Sequence, residues 1–153
     1  MEDGIKIFFC SRTHSQLIQF ANEIRRVKIP MVDAEGSDSG SKLVEEIKHL
    51  SLGSRKNLCI NKDVKRLGST TAINERCLEL QKSKDSSKKC SFIPNKDNET
   101  LVHQFRDHAL AKIRDIEDLG HLGEKIGICP YYASRAAIKP SEASHRIKYL
   151  TNS

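Results

Sequence analysis

The chain has 153 residues, a formal charge of +6 and no tryptophan. Hydrophobic residues make up 37% and charged residues 30%, so the apolar share, glycine included, falls a little below the roughly 45–50% of ordinary globular domains. One domain of this length is possible, but its thin core calls for a metal centre or a neighbouring domain. No run reaches the length of a membrane span, and the acidic start of "MEDGIKIFF" lacks the basic residues of a secretory signal. A reducing intracellular setting is therefore expected, where widely spaced cysteines bind metal or do chemistry more often than they form disulfides.

"IKIFFC" (residues 5–10) is a short apolar run that reads as a buried strand, with Cys10 as a small hydrophobe at its end. In "SRTHSQLIQFANEIRRV", Thr13 and Gln16 have capping-box spacing. Leu17, Phe20, Ala21, Ile24 and Val27 then fall on one helical face, and Pro30 stops the helix. Strand, polar turn and amphipathic helix make half of a βαβ unit. "EGSDSGSK" (35–42) reads as a flexible loop. Residues 47–52 read as a second strand, expected to pair in parallel with the first.

After Gly53 the character changes. Residues 61–67 predict a short helix ending at Gly68. In "STTAINERCLELQKSK", Ile73, Cys77 and Leu80 share one helical face. "SKDSSKKCSF" is a basic, Ser-rich loop carrying Cys90. "NETLVHQFRDHALAKIRDIEDL" predicts one long helix, with Val102, Phe105, Ala109, Ile113 and Ile116 facing one way. "GHLGEKIGICPYYASRAAI" turns back through its glycines to Cys129 and into another helix. "KPSEASHRIKYLTNS" has weak periodicity compatible with disorder.

From Gly53 to Cys90 there are ten Lys or Arg against four Asp or Glu, so this segment carries the whole excess of +6. It suits a polyanion such as nucleic acid, or equally a solvated lysine-rich loop. The same segment holds Cys59, Cys77 and Cys90, with Cys129 further on, separated by 17, 12 and 38 residues. No CxxC pair exists, whereas structural zinc sites generally use two close pairs. Four isolated thiolates suit an iron–sulphur cube, whose ligands arrive from different directions. Basic surroundings are expected to favour thiolate. Four ordinary buried or free cysteines are the competing reading. The six histidines form no HxxxH or HExxH pattern; His14 sits in the polar turn, and His103 and His108 read as surface positions.

"FFCSRTHSQLIQFANEI" resembles motif Ia of the XPD-like iron–sulphur superfamily 2 DNA helicases. "SLGSRKNLCIN", "INERCLELQKSK", "KKCSF" and "CPYYASRAAI" follow in that family's order. The pairing of "LGSRKNLC" with "INERC" is most similar to its chromosome-loss branch, which acts in sister-chromatid cohesion. Ser91 stands where the family commonly has Pro after the third cysteine. The resemblance covers about residues 5–138. It implies an α/β fold, with a partial RecA-like motor domain, a strand–helix unit, carrying an inserted, mostly helical iron–sulphur domain. The implied boundaries are 1–52 for the motor piece including motif Ia, 53–130 for the cluster domain, and 131–153 for a return to the motor with a divergent tail.

The resemblance also implies that Cys59, Cys77, Cys90 and Cys129 hold a [4Fe-4S] cluster. Arg55 and Lys56 would meet backbone phosphate, a salt-sensitive contact without sequence preference. Ser11, Arg12, Thr13 and His14 would grip single-stranded or forked DNA at a helix start. ATP and Mg2+ would belong to the full-length helicase alone, because this sequence has no GxxxxGK[ST] loop and no DEAH box. The implied partners are the rest of the motor and cohesion and replication factors, in the nucleus, with roles in DNA repair. The chain is then expected to be a fragment without ATPase of its own. Competing expectations are a stand-alone iron–sulphur or zinc-stabilised DNA-binding module and a remnant that never folds, its Leu17/Phe20/Ile24 face uncovered.

Overall fold

Strand β1 (Lys6–Cys10) leads through a three-residue turn into helix α1 (His14–Arg26). Thr13 caps α1, its hydroxyl accepting from the Gln16 N–H. The other half of the expected capping box is absent, because the Gln16 side chain pairs with the Ser11 hydroxyl instead. The computed structural model describes residues 6–30, 44–45, 47–138 and 148–152. The loop expected at 35–42 lies outside them.

Helix α1 ends at Arg26, four residues before Pro30, because Val27 already has extended backbone. Ile29–Pro30 (β2) pairs antiparallel with Val44–Glu45 (β3). Strand β4 (Lys48–Ser51) matches the expected second strand but does not pair with β1. Lys148–Asn152 (β5), in the tail expected to be disordered, lies between them and is parallel to both. Local periodicity could not show this strand, whose register is set by partners distant in sequence. Of the tail, residues 139–147 and 153 lie outside the described residues.

Helices follow. Arg55–Leu58 (α2) is capped by Ser54, and Lys62–Lys65 (α3) by Asn61. Gly68 beyond α3 has φ of 74°, a left-handed value that favours glycine. Thr70–Lys82 (α4) is capped by Ser69 and buries Ile73. The basic loop contains a single 3-10 turn at Ser86–Lys88, and a second at Lys96–Asn98 precedes the next helix.

The long helix expected from residue 98 is two helices, Glu99–Ala111 (α5) and Ile116–Ile126 (α6). Lys112 takes extended backbone, and Asp115 with Asp118 forms a capping box that starts α6 afresh. Two of the glycines expected to turn the chain, Gly120 and Gly123, lie inside α6. The turn is made by Gly127, at φ 82°. Pro130–Ala136 (α7) follows, with proline at its first position, where the missing N–H costs nothing.

The core joins both halves of the sequence. Leu17 of α1 and Leu50 of β4 lie in one buried cluster with Phe105, Leu119, Ile128 and Ala133. The apolar face of α1 is therefore covered: Leu17, Ala21 and Ile24 are buried, and Phe20 stacks on Phe9 at 4.1 Å between ring centroids. Val27, expected on that face, is exposed. Cys10, expected to be buried, is also exposed, because it ends β1 at the mouth of an open cleft. Among the described residues the chain is mostly helical, with a small parallel sheet, and no helix is long and apolar enough to cross a membrane.

Candidate metal centre

Four short elements deliver the four cysteines. Cys59 closes α2, its N–H bonded to the Arg55 carbonyl at 2.8 Å. The buried Leu58 anchors that helix under Gly53, where a β-carbon would come within 3.1 Å of Leu58 Cγ. Cys77 lies on the Ile73 and Leu80 face of α4, as periodicity predicted. Cys90 follows the 3-10 turn and accepts a hydrogen bond from Asn61 Nδ2 at 3.4 Å. Cys129 is the N-cap residue of α7, and its N–H reaches the Phe92 carbonyl at 2.8 Å. That bond ties the Cys90 loop to the α6–α7 corner.

All four cysteines line one small cavity of about 20 Å³, whose remaining walls include Ile60, Val64, Leu80, Phe92 and Ile93. The lining contains no histidine and no carboxylate. Among the described residues no three or more His, Cys, Asp or Glu stand close enough together to hold a metal ion as they are placed. Four thiols among apolar walls are a donor set that an iron–sulphur group, taking one thiolate at each of several irons, could use.

Dry walls act on two of these thiols, Cys59 and Cys129. Burial pushes Cys129 up to about 11, against a partial offset from the backbone N–H groups of Tyr132 and Tyr131. Burial likewise raises Cys59; the Asn61 backbone opposes it, the neighbouring Cys77 and Cys90 sulphurs add to it, and Lys65 lowers it least. The sequence suggested that basic residues would favour thiolate. Burial overrides them at these two positions, because the basic side chains of α3 stand at the surface while the sulphurs face an apolar interior. Any metal bound through these two thiols would have to displace their protons.

Arg55 turns inward. Its Nη2 donates to the Tyr132 hydroxyl at 3.2 Å, and its guanidinium carbon lies 4.5 Å from the Tyr131 ring centroid. Arg135 stacks on the same ring at 3.6 Å and reaches the Gly53 carbonyl at 3.3 Å. The Tyr132 hydroxyl also donates to Gln81 Oε1 at 3.3 Å and lies 4.0 Å from Cys77 Sγ. Tyr131, Tyr132, Arg135 and Asn61 escaped the sequence reading. Their one visible signal was adjacency to Cys129 in "PYYASR" and to Cys59 in "LCIN". Lys56, beside Arg55, is exposed.

The motif Ia residues lie apart from the cysteine cavity. Ser11, Arg12 and Cys10 line an open cleft of about 500 Å³ with Phe9, Gln16 and Phe20. Arg12 and the capping Thr13 are exposed. His14 does not face that cleft: its Nε2 is paired with the Glu117 carboxylate at the start of α6. From the other end of α1, Arg25 bonds Asp118 at 3.0 Å and the Ile113 carbonyl at 3.1 Å. His103 and His108 are exposed on α5, as expected.

The DEAD_2 family model matches residues 9–143. The ATP-dependent DNA helicase chl1 of Neosartorya fischeri is 58% identical over 146 residues, covering 92% of this chain and 17% of that protein. The protein of the same name from Aspergillus fumigatus is 56% identical, over 92% of this chain and 19% of its own length. That of Meyerozyma guilliermondii is 43% identical, over 90% and 16%. The chain thus spans less than a fifth of each of these relatives.

Proposed function

Because the chain belongs to the DEAD_2 family, we propose that it is the motif Ia and cluster-bearing part of an ATP-dependent DNA helicase. Cys59, Cys77, Cys90 and Cys129 would hold a [4Fe-4S] cluster. When bound, the cluster supplies a covalent staple between α2, α4, the Cys90 loop and α7. One observation carries this reading: four cysteines from distant parts of the chain line a single apolar cavity. A zinc-stabilised module is the weaker reading because the sequence has no CxxC pair.

The chain's own residues would bind and position DNA. Arg12 and Lys56 are exposed cations in two of the motifs that carry the resemblance, and both suit backbone phosphate. Ser11 and Thr13 stand at the N-terminus of α1, where hydroxyl and N–H groups favour an anion. Arg55 would act indirectly, by locking α2 to α7. His14 would hold α1 against α6 through Glu117. The α/β assignment is read as a partial RecA-like motor (1–52) interrupted by the cluster domain (53–130), with β5 as the motor's return.

ATP and Mg2+ would be bound by other parts of the helicase, since this sequence contains neither a GxxxxGK[ST] loop nor a DEAH box. The expected setting is the nucleus, on single-stranded or forked DNA during replication, repair and sister-chromatid cohesion, beside cohesion and replication factors. The test is titration of single-stranded DNA with the oxygen-free protein at two salt concentrations, with ATPase measured on the same sample. Binding that weakens steeply with salt and is indifferent to sequence is expected, with no ATPase. Salt-independent binding, or turnover of ATP by this chain alone, would count against it.

A further inference from the structure

Asn61 joins two structures that the sequence keeps apart. As N-cap of α3, its Oδ1 accepts the Asp63 N–H at 3.0 Å. That bond fixes which end of the amide is oxygen, so the other end must be the NH2 group. It points at Cys90 Sγ, 3.4 Å away. Each of the other three cysteines has a polar neighbour supplied by α2–α3, α7 or backbone. For Cys90, the cysteine on the least regular segment, the one side-chain hydrogen bond among the described residues comes from Asn61.

We propose that Asn61 is a positioning residue for the cluster: its N–H···S bond orients Cys90 toward the cavity and lowers the negative charge on that sulphur. The inference rests on the [4Fe-4S] reading above. Hydrogen bonds to ligand sulphur are among the protein's means of setting an iron–sulphur potential, because they favour the more negative, reduced state. The amide is suited to this by being held at its far end: α3 cannot be capped by Asn61 without aiming the donor at Cys90.

The test uses the whole chain, purified without oxygen, as wild type, Asn61→Asp and Asn61→Ser. Both replacements keep a capping oxygen for α3 and lose the N–H donor. The readouts are the midpoint potential, with one electron supplied by an electrode, and the Fe–S(Cys) stretching bands in resonance Raman spectra. Asn61→Asp is expected to disfavour reduction at least tenfold, about 59 mV for one electron, and to displace the bands; Asn61→Ser should move both in the same direction, by less. Loss of iron from both variants with helix content unchanged also supports the proposal. An Asn61→Asp protein with the wild-type potential and spectrum overturns it alone. A wild-type chain that takes up no iron overturns the cluster reading and this inference together.

Discussion

Arg55 of α2 donates through Nη2 to the hydroxyl of Tyr132 in α7, 3.2 Å away, and so bridges the helices that carry Cys59 and Cys129. Its guanidinium plane also lies over Tyr131. Lysine keeps the charge but loses the planar stack and the forked donors. Arg55→Lys should therefore lower stability by about 1–2 kcal/mol, the sum of one hydrogen bond and one cation–π contact. It should also shorten the lifetime of bound iron in air. Denaturant unfolding and the decay of visible absorption would measure the two effects, and a variant equal to wild type in both would contradict this role.

Lys56 makes the complementary case. It is exposed one residue away, so Lys56→Ala should leave stability within about 0.5 kcal/mol of wild type. If it meets a phosphate, the dependence of DNA affinity on salt should become shallower by about one unit in log–log slope. A variant with the wild-type slope removes Lys56 from the DNA path.

Gly123 and Gly120 lie one turn apart in α6 but in opposite situations. A β-carbon on Gly123 would sit 2.6 Å from Pro130 Cδ and 2.8 Å from the Ile128 carbonyl oxygen. Since Pro130 follows Cys129, relief of that clash moves a cysteine. Gly123→Ala should cost about 1–3 kcal/mol by overpacking and reduce iron uptake. A β-carbon on Gly120 meets nothing within 4 Å. Gly120→Ala should be neutral or stabilising by up to about 1 kcal/mol, through helix propensity. Midpoints of urea unfolding for the pair check this directly; equal effects at the two sites would refute it.

His49 on β4 is 1% exposed. Burial, and then the nearby Arg25 charge, holds its pKa down from the ordinary 6.5 to about 4, with weaker opposing pulls from Arg114 and Asp115. The unfolded chain then binds a proton below pH 6.5 that the folded chain refuses until about pH 4. Stability from this residue is full above 6.5 and falls as pH drops through that window, by about 3 kcal/mol in total. Replacing His49 by leucine should flatten the pH dependence of unfolding between 4 and 6.5. An unchanged slope would show that another group is responsible.

The local signals were legible where one element decides them. Capping at Thr13 and the Cys77 face of α4 follow from short-range patterns. The grouping of the four cysteines was expected from motif order, and the structure gathers them at one cavity; spacing alone left ordinary thiols as a competitor. What escaped was long-range. The strand at Lys148–Asn152 depends on β1 and β4 for its register. The division between α5 and α6 turned on Asp115 and Asp118, a polar pair hidden inside an apolar periodicity. The inward turn of Arg55 and the His14–Glu117 pair needed partners 77 and 103 residues away. Cys10 was misread because a short apolar run does not show that the strand's end opens on a cleft.

The central claim is that four separated cysteines share one iron–sulphur cluster. Iron, acid-labile sulphide and zinc should be counted per chain on protein purified without oxygen, beside a Cys77→Ser variant. Iron and sulphide in equal amounts, largely lost in the variant, are the predicted result. Stoichiometric zinc, or a folded chain with neither iron nor sulphide, would contradict it.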